Sequence, residues 1–185
     1  FLGGGPQDSI IANARRAWEA DTLSAVSAFL YLWCLHRLQR TDTLAAMVSR
    51  MQGILPPEDL RTFGGLERLL RGDAAGAAQR LSWSYYGGDV AGEYVRALLE
   101  LGRRDAAIAA LDSMRQYATN HYYNPYGIAK AHAALGQADS AFVWLERAYE
   151  QRTVYVVALD SDVGFAQLRA DPRWAMLRRR MGLAQ

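Results

Sequence analysis

Cysteine is almost missing. Cys34 is the only one in 185 residues, so no intramolecular disulfide can form, and no Cys/His spacing of the zinc-cluster kind accompanies it. That scarcity points to a reducing compartment, and the cytoplasm is the expected location. Net charge is nearly absent too: 21 basic and 19 acidic residues leave a formal charge of +2. This is too mild to select nucleic acid or an anionic membrane as a partner. No long apolar run occurs either, since the longest, Ala25 to Leu35, is about half of the ~20 residues a membrane-crossing helix needs. Phe1-Leu2-Gly3-Gly4-Gly5-Pro6 lacks the charged and apolar regions of an export signal. Because the chain opens without methionine, it reads as a processed product or an excised piece of a longer protein, and the excised piece is the favoured expectation. Also missing are a GxSxG elbow, a Walker loop, an HExxH site, a GxGxxG loop and HRD or DFG triplets. No enzyme and no cofactor is therefore expected.

What is present is a foldable, helix-forming chain. Hydrophobic residues make up 51% and charged residues 22%, which excludes wholesale disorder. Proline is rare and falls at punctuation points, Pro6, Pro56-Pro57, Pro125 and Pro172. Between them Ala, Leu, Arg and Gln dominate, and strand-forming residues cluster only at Thr153 to Val157. Leu98, Leu101, Ile108, Leu111 and Met114 recur at helical spacing, as do Phe142, Leu145 and Tyr149. The class is all-α. The predicted helices are 9–20, 22–39, 42–52, 58–71, 73–84, 88–101, 104–117, 124–135, 138–151 and 172–181, joined by short connections that favour antiparallel hairpins. The last helix carries Asp171 as N-cap, Pro172 at its first position, Arg178-Arg179-Arg180 opposing the dipole and Gly182 to close it. Thr153 to Leu159 reads as a short helix or an extended connection.

The strongest signal is internal. An offset of 34 residues aligns Ala97 with Ala131, Leu101 with Leu135, Gly102 with Gly136, Asp105 with Asp139, Ala107 with Ala141 and Leu111 with Leu145. In a helical hairpin the Gly of LGxxDxA ends the first helix in a left-handed turn, the Asp caps the next, the Ala permits close approach and the Leu fills the seam. This period and pattern resemble the tetratricopeptide repeat family. One unit matches through Tyr94-Val95, Gly102, Ala107, Leu111 and Met114, the next through Ile128-Ala129, Gly136, Ala141, Leu145 and Ala148. The opening Trp of the motif is replaced by Ala91 and Pro125. Gly65, Gly72, Ala77 and Leu81 outline a shorter unit, and Leu32, Leu35, Leu44, Val48 and Met51 another by apolar pattern alone. FVWLERAY at 142–149, FAQLRADPRW at 165–174 and LRRRMGL at 177–183 look like the closing region of tetratricopeptide domains at the C-termini of multidomain bacterial regulators. Kinase, cyclase and winged-helix domains accompany such regions.

The resemblance implies one right-handed superhelix over 1–185. It has clear repeats at 88–117 and 122–151, degenerate units at 22–52 and 57–84 and a C-terminal cap at 153–183. It also implies a non-catalytic protein or peptide scaffold, the docking or sensing arm of a larger bacterial regulator. Stacked hairpins repeat outward positions, which makes Arg96 and Lys130 an equivalent pair, with Tyr126 one turn before Lys130 and Tyr123 nearby. These four residues are expected to form a basic, aromatic-edged groove for an acidic or C-terminal peptide. No Asn stands where a dicarboxylate clamp needs one. One rival reading joins two copies into a homodimer through Trp174, Phe165 or Trp18, and another is a helical enzyme with an unrecognised site between helices, which needs titratable groups converging in a cleft.

Other candidates have plainer explanations. Cys34 and His36 project about 200° apart on a helix, which suits a buried structural thiol rather than a nucleophile with its base. His121 and His132 are separated by a helix start, and neither is expected to act as a ligand. Asp160-Ser161-Asp162 with Gly164 opens like a calcium loop, but Phe165 and Asp171 stand where Gly and Glu are required, so turn or capping aspartates are expected. Arg169, Arg173 and Arg178 to Arg180 read as helix-end arginines on a solvated cap. Trp83, Tyr85, Tyr86, Tyr117 and Tyr122 read as packing aromatics.

Overall fold

The computed structural model describes residues 7–83, 88 and 90–183. Among these the protein is all-helical, with an isolated bridge between Gln52 and Leu55 and no strand. The sequence reads as one continuous solenoid, whereas the packing divides the chain into two compact units, Phe1–Leu81 and Ser82–Gln185.

Unit 1 holds α1 (Gln7–Ala20), α2 (Ala25–Arg37), α3 (Thr41–Arg50), α4 (Pro57–Leu70) and α5 (Ala74–Arg80). Each starts or stops for a local reason. Ser24 accepts the Ser27 N–H at the head of α2, Pro57 opens α4 where its missing N–H costs nothing, and Asp73 accepts the Gly76 N–H at 2.8 Å to cap α5. The expected helix 73–84 stops at Arg80 because Leu81 turns extended, with ψ 152°. Leu32, Leu35, Leu44, Met51 and Leu66 are fully buried, and Phe29 meets Phe63 edge-on at 5.3 Å.

Unit 2 holds α6 (Ala91–Glu100), α7 (Arg104–Tyr117), α8 (Pro125–Ala134), α9 (Ala138–Glu150), two 3-10 helices (Val154–Ser161 and Val163–Leu168) and α10 (Pro172–Arg180). The ambiguous stretch at Thr153 is thus a 3-10 helix. Asn124 caps α8 through the Tyr126 N–H, and Asp171 caps α10 through the Arg173 N–H at 2.9 Å. Asp105 and Asp139, expected as caps, instead stand inside the first turns of α7 and α9, whose caps are Arg103 and Gln137. There they complement the positive end of each helix dipole. Phe142, Leu145 and Ala148 from α9 bury against Leu159, Phe165, Leu168, Trp174 and Leu177 of the C-terminal segment.

One turn recurs through both units. Gly102 and Gly136 adopt φ +70° and +78°, each with its own N–H bonded three residues back and the next N–H bonded five residues back. Gly72, at φ +81°, makes the same two bonds between α4 and α5, and Gln39, at φ +55°, makes them between α2 and α3. This is the helix-ending motif in which a left-handed residue satisfies the last carbonyls. The turns between paired helices are spaced by 33, 30 and 34 residues, and the same two bonds also close α9 at Arg152 (φ +52°) and α10 at Gly182 (φ +70°). The short interval contains α5, which has only 7 residues.

Candidate functional site

The four groove residues named from sequence do not share an open face. Lys130, the only lysine in the chain, lies in α8 with its side chain 8% exposed. Its ammonium donates to the carboxylate of Glu93 on α6 and stands 3.3 Å from Asp162 Oδ2, at the cap of the second 3-10 helix. Tyr126 is buried as well, and its hydroxyl donates to the same Asp162 oxygen at 2.9 Å. Asp162 Oδ1 accepts the Gly164 N–H at 2.9 Å. Two glycines make the space: a Cβ on Gly92 would fall 2.3 Å from Lys130 Cβ, and one on Gly164 would fall 2.8 Å from Lys130 Cε.

Lys130 and Tyr126 are therefore interior parts that tie α6, α8 and the second 3-10 helix together. A compact ammonium can be enclosed by two carboxylates with little bulk, whereas a guanidinium needs a planar slot. Arg96 stays at the surface and pairs with Glu100 at 3.0 Å. Tyr123 is buried, donates to the Trp83 carbonyl and lies against Trp83 and Tyr117 at 6.2 and 6.1 Å between ring centres. Sequence reasoning missed Glu93, and it named Asp162 as a turn or capping aspartate, which it is, without its link to Lys130. Its best available signal was Lys130 itself, a lone lysine in a chain that otherwise uses arginine.

Several other candidates resolve into packing, whereas Tyr122, expected to pack, is exposed. Cys34 is buried, and burial raises its thiol pKa and so keeps it protonated. His36 tilts against Trp33 at 5.9 Å. His121 is exposed and stacks on Tyr117 at 4.2 Å. His132 is buried, with Nδ1 2.6 Å from Gln137 Oε1 and Nε2 lacking a hydrogen-bond partner. Its pKa is lowered chiefly by burial. Among the described residues, no group of three or more His, Cys, Asp or Glu side chains is placed to hold a metal ion.

The C-terminal arginines lie at the surface, as expected of a solvated cap, and most of them are paired there. Arg178 pairs with Asp160 at 2.8 Å, Arg180 pairs with Glu146, Arg173 pairs with Asp171 and Asp139 at 2.7 and 2.8 Å, and Arg169 donates to the Asp160 and Asp162 carbonyls. The bonds from Arg173 pull the Asp171 pKa down to about 2. Trp174, Phe165 and Trp18, named for self-association, are buried, so they offer no surface to a second copy. Tyr85 and Tyr86 lie outside the described residues. No helix is long and apolar enough to cross a membrane among the described residues.

Open space lies elsewhere. In unit 1 a cleft of about 820 Å³ runs over one face of α4 between α3 and α5. Ala45 and Val48 contribute from α3, Leu60, Arg61, Gly64 and Arg68 from α4, and Gln79 and Arg80 from α5. In unit 2 a cleft of about 520 Å³ lies between α7 and α9, where Arg147 sits 5.0 Å over the Trp144 ring. Both present polar and apolar side chains. Comparison of the chain with protein-family models, with curated proteins and with solved structures gives no match.

Proposed function

We propose that this chain is a tetratricopeptide-like, non-catalytic scaffold that binds a protein or peptide, and that it serves as the docking or sensing arm of a larger bacterial regulator. The observation that carries this reading is the turn repeated at Gln39, Gly72, Gly102 and Gly136 with the same hydrogen bonds each time. Repetition of one hairpin unit produces equivalent grooves along a stack, and such grooves suit extended partners better than small substrates. The buried polar groups fit the same view, because Lys130, Glu93, Asp162 and Tyr126 bond to one another in the interior, where they tie elements together.

Selection from a random peptide library on the immobilised full chain tests the reading. Enrichment of related peptides that bind the chain in solution is the expected result. Recovery of no sequence that binds in solution would count against an interaction scaffold.

A further inference from the structure

The α3–α4–α5 cleft sets basic groups beside apolar ones. Leu60, Arg61, Gly64 and Arg68 recur at helical spacing on α4 and share its open face. Of the three arginines in the cleft, Arg68 is engaged by Asp73 at 2.5 Å. The cleft's only acid, Glu67, pairs with Arg71. Arg61 donates to the Gln79 carbonyl at 3.1 Å and meets no carboxylate among the described residues. The Arg80 guanidinium has neither an ion pair nor a hydrogen bond to a described residue. Two positive groups thus face the cleft without a direct ion pair, although Asp73 lies near enough to Arg80 to interact with it through space. Beside them Ala45, Val48 and Leu60 are only half-buried. At Gly64 a Cβ would stand 3.8 Å from Arg80 Nε, so a larger side chain there would fill the space next to the guanidinium.

Resting on the scaffold reading, we propose that this cleft binds a short extended segment of a partner protein that carries acidic residues next to an apolar one. Arg61 and Arg80 contact the carboxylates, and Val48 and Leu60 contact the apolar side chain. The length agrees: Pro57 to Arg68 spans about 16 Å of helix axis, the reach of about five extended residues. A hydrated inorganic anion would gain nothing from the methyl-bearing wall, whereas a peptide uses both walls at once.

Fluorescence anisotropy on the full chain tests this with a fluorescein-labelled peptide of alternating glutamate and leucine. One control peptide has lysine for every glutamate, and another has serine for every leucine. The glutamate–leucine peptide is expected to bind and both controls to bind much more weakly. Arg61→Glu with Arg80→Glu should weaken its binding by about tenfold or more, as should Gly64→Leu, which closes the floor without changing charge. An unchanged urea midpoint shows that each variant is folded. Equal binding of the lysine peptide, equal binding of the serine peptide, or unaltered affinity in the folded variants would each overturn the assignment. If library-selected peptides bind while the glutamate–leucine peptide does not, the cleft assignment fails and the scaffold reading stands. If neither kind binds, both fail.

Discussion

Replacing Lys130 by Met removes one cation from between two buried carboxylates and keeps most of the side-chain volume. Glu93 and Asp162 have side chains only 7% and 5% exposed, so water screens them poorly once the ammonium is gone. Breaking a buried ion pair by deleting one partner costs about 3–5 kcal/mol. That is a large share of the roughly 5–15 kcal/mol that holds an ordinary domain together. In a chain of this size the loss corresponds to a fall in melting temperature of about 6–20 °C. Urea unfolding of the full chain, followed by far-UV circular dichroism and tryptophan fluorescence, measures it directly. Arg15→Met supplies the contrast, because its pair with Glu19 at 3.7 Å has both side chains more than half exposed and should cost about 0.5 kcal/mol or less. Adding Glu93→Leu to Lys130→Met should recover about 1 kcal/mol or more, since it removes one of the two stranded charges. A Lys130→Met protein within about 1 kcal/mol of the parent would refute the buried network.

Five further outcomes follow from single sites. Gln39→Gly should stabilise the protein by about 0.5–1 kcal/mol by relieving a left-handed residue that is not glycine, and Gly136→Ala, where nothing lies within 4 Å of the new Cβ, should cost about 1–2 kcal/mol from backbone strain alone; urea midpoints check both. His132 has a folded pKa below the usual 6.5 of histidine, so the unfolded chain takes up the proton first and stability should fall as pH drops below 6.5. Midpoints at about pH 7.5 and about pH 5.5 should differ in the parent and converge in His132→Leu. Asp171 is depressed from 3.8 to about 2, so its contribution is complete above pH 3.8 and lost on acidification towards 2, and Asp171→Asn should unfold less steeply across that window. Because Lys130 is the only lysine and is buried, an amine-reactive ester should modify it only after denaturant is added, as peptide mass mapping would show.

Much of the fold was legible locally. Gly102 and Gly136 marked their own bends because an L-residue is strained at positive φ, and Asp171 followed by Pro172 marked the start of α10 because cap and proline chemistry act within one turn. Gln39 was invisible for the complementary reason: it makes the same turn as the glycines while lacking the residue type that announces it. Asp105 and Asp139 misled by two residues, since an acid suits both the cap and the first turn of a helix.

The candidate site was read less well. Periodicity gave Arg96 and Lys130 the same place in the repeat, and one is paired at the surface while the other is sealed inside. Spacing along a helix fixes which residues share a face. It does not fix what arrives to cover that face. Lys130 is covered because Glu93 precedes it by 37 positions and Asp162 follows it by 32, and only the packing of α6 and the C-terminal segment brings both carboxylates to its ammonium. The cleft over α4 arose in the same way, from Arg80 of one helix meeting the floor of another at a glycine. The sequence by itself determined the helices, their bends and the repeat, since these depend on interactions within a few residues. Which charges are sealed inside and which stay at the surface was decided by tertiary structure, because charge pairing depends on distance through space.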